Sequence, residues 1–202
     1  MFKFLTADLH FGDERLAILG RPFSNVEEFM ENVINNYNKM VSKDDDVLFV
    51  GDAVHKDKTK YLPWLSYMNG KKTLIRGNHD KWLTDEELKP YFDVIIQDGS
   101  GIEFEVDGIP CYATHYPTSG VINRFNLVGH IHSAWRYQLN MFNVGIDANH
   151  FLPINLETIP KHLKAICEYY DEDVWVAYDK INSNYLGVRG KKGRYFQPTT
   201  GV

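Results

Sequence analysis

The run Val47-Leu48-Phe49-Val50-Gly51-Asp52 sets the reading of the whole chain: four apolar residues stop at a glycine and an acid. Four apolar residues bounded this way suit a short buried strand with a carboxylate at its end. The same figure recurs along the sequence. Phe2 to Leu5 leads to Asp8-Leu9-His10, and Thr73-Leu74-Ile75 leads to Arg76-Gly77-Asn78-His79-Asp80. Cys111 to Thr114 leads to His115-Tyr116-Pro117, and Phe125 to Val128 leads to Gly129-His130-Ile131-His132. Five strands therefore end at Asp, Asn or His. Helical patterns separate the early ones. Ser24 opens a capping-box spacing ahead of Val26, Phe29, Met30, Val33, Ile34, Tyr37 and Met40, which predicts a helix over 25–41. A weaker pattern covers 57–68. Strands joined across helices run parallel, which makes this an α/β chain, and ligands in such sheets gather beyond the carboxyl ends of the strands.

Further along, 141–146 reads as a strand, 158–170 as a helix with Ile159, Leu163 and Ile166 on one face, and 174–197 as a hairpin turning near Asn182-Ser183-Asn184. The acid runs Asp44-Asp45-Asp46 and Asp85-Glu86-Glu87 read as solvated turns. With 202 residues, 44% of them hydrophobic and 24% charged, the chain fits one packed domain and not a disordered one. Its longest apolar run, Val174 to Tyr178, is far short of a membrane span of about 20 residues. An acid arrives by Asp8, too early for the apolar region of a secretory signal, so a cytoplasmic location is expected. Cys111 and Cys167 stand too far apart in sequence for a zinc spacing and read as two plain buried thiols. The net charge of −5 offers no overall attraction to nucleic acid. Residues 161–202 differ, with seven basic against five acidic residues. There Arg189, Lys191, Lys192 and Arg194, flanked by Tyr185, Tyr195 and Phe196, suit a phosphate backbone with stacked bases, or else form a solvated basic hairpin.

The strand-end residues Asp8, His10, Asp52, Asn78, His115, His130 and His132 make seven nitrogen and oxygen donors without a thiolate. That inventory suits two first-row divalent ions better than one structural zinc. A carboxylate such as Asp52 has two oxygens and can bridge the ions while offsetting their mutual repulsion. Such a pair activates water and polarises a phosphoryl group, so phosphoester hydrolysis is the chemistry expected.

In order and identity these five blocks resemble the calcineurin-like metallophosphoesterase family. The likeness is strongest to its small bacterial and phage phosphoesterases, through His10-Phe11-Gly12, Arg21-Pro22-Phe23, Asn143-Val144-Gly145-Ile146-Asp147 and Pro153-Ile154-Asn155-Leu156. The resemblance implies an αββα four-layer sandwich. It covers 1–160 as the phosphoesterase domain and leaves 161–202 as an extension packed on it or appended to it. It implies that Asp8, His10, Asp52 and His132 hold one ion and Asp52, Asn78, His115 and His130 the second. Manganese is the first choice of metal, with iron, nickel, zinc and magnesium as alternatives. It further implies that His79 serves as general acid on the leaving oxygen, its ring oriented by Asp80.

Arg21, Arg76 and Tyr116 are candidate substrate contacts, with an ion pair that fixes its loop as the first reading for Arg21. His55, His150 and His162 fall outside the motif. Asp13 is a departure, because related chains often carry histidine there and an acid repels phosphate. The substrate expected is a nucleotide or a nucleic-acid end. A nuclease or RNA-end phosphatase using the basic tail stands as one alternative, and a non-catalytic metal-binding scaffold as another.

Overall fold

In a computed structural model that describes residues 1–56 and 59–169, the last three by backbone alone, alternation along each strand decides what it buries. The elements are β1 (Phe4–Thr6), α1 (Val26–Met40), β2 (Asp46–Val50), β3 (Lys71–Ile75), α2 (Asp85–Leu88), β4 (Val94–Ile96), β5 (Gly101–Val106), β6 (Ile109–Thr114), β7 (Phe125–Val128), β8 (Tyr137–Gln138), β9 (Met141–Asn143), β10 (Ile154–Asn155) and α3 (Ile159–Tyr169). A first sheet has the order β10-β1-β2-β3-β4 and a second the order β5-β6-β7-β9-β8. The four strands β1 to β4 are parallel, as are β6, β7 and β9. The antiparallel pairs are β1 with β10, β5 with β6 and β8 with β9.

Phe4, Val47, Phe49 and Leu74 point from the first sheet into one core with Phe29, Met30, Val33 and Tyr37 of α1. Their neighbours Leu5, Leu48, Val50 and Ile75 point the other way, into a second core with Cys111, Ala113, Phe125, Leu127 and Phe142 of the second sheet. Period-two side chains thus bury the first sheet on both faces, as a parallel sheet requires. Ile159, Leu163 and Ile166 join α3 to the second core. Two packed sheets with helices agree with the sandwich that the resemblance implies.

Several local expectations change. The helix over 25–41 is α1, but its cap is Asn25, whose side chain accepts from the Glu28 N–H at 2.8 Å. Ser24 sits one residue outside and donates its N–H to the Glu28 carboxylate. The segment expected at 57–68 is a 3-10 helix over Thr59–Tyr67, containing Pro63, which has no N–H for an α-helical bond. The strand expected at 141–146 stops at Asn143, because the chain turns back over β1. There Ile146 N–H bonds Ala7 O, and Gly145 pairs with Ala7. Asp85-Glu86-Glu87 is a single turn of helix, closed by a reciprocal capping box between Thr84 and Glu87. The edge strands β4, β8 and β10 are only two or three residues long, too short for a pattern to stand out. Cys111 is buried, which pushes its thiol up to about 12 and leaves it inert. The hairpin expected at 174–197, the basic cluster Arg189, Lys191, Lys192 and Arg194, and the side chain of Cys167 lie outside the described residues. Among the described residues no helix is long and apolar enough to cross a membrane.

Candidate metal centre and active site

Loops leaving the carboxyl ends of β1, β2, β3, β6 and β7 meet at one edge of the sandwich. The parallel ladder continues past the strands: Asp8 N–H bonds Gly51 O, His10 N–H bonds Asp52 O, and His55 N–H bonds Phe11 O. From the second sheet, Gly129 N–H bonds His115 O. Aiming the side chains inward takes unusual backbone. Asp8, His10, Asp52, His130 and His132 all have positive φ, between 47° and 76°. Asp and His enter this region more readily than most residues, but each instance still costs about 1 kcal/mol or more. Close packing adds a second demand. A Cβ on Gly77 would collide with the Asp52 carboxylate, and one on Gly51 with the His115 ring.

The result brings all seven expected donors together. His10 Nε2 and His115 Nε2 each lie 3.4 Å from Asp52 Oδ2, and His10 Nε2 lies 4.0 Å from Asp8 Oδ1. Asn78 Oδ1 is 3.2 Å from His115 Nε2 and 2.8 Å from His130 Nδ1. Asp8, His10 and Asp52 form one group with ligand atoms within 4.8 Å of one another, and Asp52, His115 and His130 form another. Donors held about 2.1 Å from one ion at right angles stand roughly 3 Å apart, so this spacing fits divalent cations. His10 makes the same point by a different route. Its ring is 1% exposed and neither nitrogen has a hydrogen-bond partner. Burial drives its pKa well below the ordinary imidazole value, against the pull of Asp52, so the ring is neutral and keeps a lone pair.

Burial also raises the Asp8 carboxyl to about 6. For Asp52 and His115 burial opposes charge on both, yet their contact prevails. The carboxyl is held below its usual range and the imidazole is raised to about 9. His115 Nδ1 donates to Val50 O at 2.9 Å, which leaves Nε2 as the atom facing the centre. His132 Nδ1 donates to Asp147 Oδ2 at 2.6 Å and likewise frees Nε2.

His79 lies beside this centre, its ring 4.5 Å from that of His10. Its Nδ1 accepts the Lys56 N–H at 3.1 Å, so the neutral ring carries its proton on Nε2. Asp80 does not orient that ring, contrary to expectation. Its buried carboxylate accepts the N–H groups of Asp52 at 2.6 Å, Ala53 at 3.0 Å and Gly77 at 2.9 Å. It stands next to His79 at the start of a 3-10 turn, where successive side chains diverge by about 120°. Burial, with Asp52 close by, raises its pKa to about 7.

Of the candidate substrate contacts, Arg76 is corrected, and Arg21 takes the ion pair that was expected of it. Arg76 is buried, its guanidinium bonded to Asp80 O, Leu83 O and Asp85. Arg21 has no exposed side-chain surface and is bonded to Asp147, Leu9 O and Asp8 O. Both guanidiniums are turned to partners inside the protein, although among the described residues the buried Arg76 Nε has none. Tyr116 stays at the site, edge-on to His115 and His130 with ring centroids at 4.9 and 5.0 Å.

The sequence reading gave His55, Arg15 and Asp147 no role at the site. His55 packs its ring 4.6 Å from His79 and sets Nδ1 3.3 Å from Asp13 Oδ2. The departure at Asp13 is thereby explained, because Arg15 forks onto the same buried carboxylate at 2.9 and 2.8 Å and neutralises it. Asp147 was noticed only as part of a motif. His55 had a usable signal, since it follows Asp52 by three residues in a strand-end loop.

Comparison with known proteins bears on the family and the fold. The profile described as calcineurin-like phosphoesterase matches residues 4–177. An uncharacterized protein of Methanocaldococcus jannaschii is 30% identical over 171 residues, covering 78% of this chain and 89% of its own length. The gene 66 protein of Mycobacterium phage L5 is 37% identical over 78 residues, or 38% of that protein. A crystal structure of a protein of unknown function from Aquifex aeolicus superposes with a TM-score of 0.60 at 26% identity, over 79% of this chain and 97% of that one.

Proposed function

The chain belongs to the calcineurin-like phosphoesterase family of metal-dependent hydrolases, and from that premise we propose that it hydrolyses a phosphodiester or phosphomonoester of a nucleotide or nucleic-acid end. The domain doing so is 1–160, with 161–202 as its extension. Asp8, His10, Asp52 and His132 would hold one divalent ion, and Asp52, Asn78, His115 and His130 a second, with manganese the first choice. One observation carries this reading: two buried imidazole nitrogens stand 3.4 Å from the same Asp52 oxygen, one from each sheet. That supports Asp52 as the carboxylate that both cations would share. When bound, such a pair supplies Lewis acidity and lowers the pKa of water at the site.

The side chains supply the rest. Asp52 also accepts the His79 N–H through Oδ1 at 2.8 Å, which fixes the loop carrying the catalytic ring. His79 offers Nε2–H to the departing oxygen. Burial lowers its pKa and the Lys56 N–H occupies Nδ1, so the neutral ring acts by hydrogen bonding to developing negative charge. This refines a full acid into a donor, and it predicts greater help for poor leaving groups. Tyr116 lines the opposite end, beside His115 and His130.

Hydrolysis of paired nitrophenyl phosphate mono- and diesters, with Mn²⁺ or chelator and Asp52→Asn as control, tests the reading. Metal-dependent turnover absent from the variant is expected. Turnover that survives chelation or the substitution would overturn it.

A further inference from the structure

Four hydrogen bonds run from one buried arginine across the back of the candidate centre, and all of them reach only one of its two halves. Arg21 Nε donates to Asp147 Oδ1 at 2.8 Å, and Nη2 donates to Asp147 Oδ2 at 3.0 Å. Nη2 also donates to Asp8 O at 2.8 Å, and Nη1 to Leu9 O at 3.0 Å. The guanidinium lies 4.4 Å from the Phe29 ring centroid, on its face. Asp147 then receives His132 Nδ1. One rigid fork therefore fixes the backbone of the loop carrying Asp8 and His10, and through Asp147 it fixes the tautomer and aim of His132. In the other half, among the described residues, no carboxylate stands behind the ring of His115 or His130, although Asp80 holds the Asp52 and Gly77 N–H groups and Asp8 accepts the His130 N–H. His115 is oriented by the main-chain carbonyl of Val50, and Asn78 and His130 meet each other directly.

Resting on the two-ion reading above, we infer that Arg21 and Asp147 are positioning residues for one ion only, the one held by Asp8, His10 and His132. A carboxylate behind a metal-binding histidine raises the ring's basicity and fixes the nitrogen it presents. Arg21 keeps that carboxylate in place and its charge balanced, and also sets the Asp8 loop, because a planar fork bonds both at once. Lysine has the charge without the fork, so Arg21→Lys should weaken the arrangement although it is charge-conserving.

The test is calorimetric titration of the full chain with Mn²⁺ in a double-mutant cycle. The wild type should take up two ions. Asp147→Ala should weaken one of them by roughly 10- to 100-fold and leave the other within about twofold. With His130→Ala in place, the remaining ion should feel the full effect of Asp147→Ala. With His132→Ala in place, Asp147→Ala should add nothing, since the ring it orients is gone. Arg21→Lys and Asp147→Asn carry the same measurement if Asp147→Ala does not fold. Equal weakening of both ions, or no weakening of either, would overturn the inference and leave these residues a structural role. A wild-type chain that takes up fewer than two ions would instead bring down the two-ion reading, and the positioning role with it.

Discussion

The two sheets contribute different chemistry to one edge. Loops of the first sheet bring both carboxylates of the seven-donor set, Asp8 and Asp52, together with His10 and Asn78. Loops of the second bring imidazoles alone, His115, His130 and His132. Neither sheet has a complete set. The shared core fixes how the halves meet, since Val50 and Ile75 on one side and Ala113 and Leu127 on the other belong to it. Each of these stands two or three residues before a donor, too short a distance for the donor to move independently. The centre is therefore a property of how the sheets pack, whereas the core under α1 lies on the far face of the first sheet and does not join them.

That contrast is open to attack from the strongest effect to the weakest. Asp52→Asn removes the carboxylate that faces imidazoles of both sheets, so turnover should fall to background and the measured metal content below two ions per chain. His79→Ala should lower kcat by roughly 100- to 1,000-fold, most for esters with poor leaving groups, and leave metal content unchanged. A uniform loss across leaving groups would remove His79 from the departing oxygen. Leu127→Ala and Met30→Ala form a matched pair of fully buried truncations, each expected to cost about 2–5 kcal/mol in denaturant unfolding. Only Leu127→Ala, between the sheets, should also weaken Mn²⁺ binding. Equal affinities in the two variants would break the argument that inter-sheet packing sets the centre.

Asp13→Asn gives the smallest effect. Burial would raise the Asp13 carboxyl, but hydrogen bonds from Arg15 outweigh it and hold the group below its usual range in the fold. A carboxyl depressed in the folded state stabilises above its unfolded pKa of about 3.9, and that stabilisation is lost as pH falls through the folded value. Wild type should therefore exceed Asp13→Asn in stability at neutral pH by at most about 1 kcal/mol, because Arg15 is half-exposed, and the gap should close in acid below pH 4. A gap that persists at low pH would mean that the ion pair is not its source.

Much of the fold was legible because buried parallel strands need apolar runs, and a run that stops at a polar residue marks its own end. Phe49-Val50-Gly51-Asp52 and Leu127-Val128-Gly129-His130 show this directly. Strands such as β8 and β10 were illegible because two residues at a sheet edge are too few to carry a pattern. Residue types limited the chemistry as well, since oxygen and nitrogen donors without thiolate narrow the choice of metals.

Direction was a different matter. Sequence order put Asp80 beside His79, yet its carboxylate turns to the N–H groups of Asp52, Ala53 and Gly77, while the N–H of Lys56, twenty-three residues earlier, meets the ring. Arg76 looked available to substrate and proved to be an internal tie, and Arg21 forms the expected ion pair with a partner the sequence could not name. The amino-acid sequence by itself determined which segments could be buried strands, where they end, and which donor atoms stand at those ends. Tertiary structure alone decided which donors face one another and which arginines are consumed, because hydrogen bonds between residues as distant as Arg21 and Asp147 exist only after the two sheets have packed.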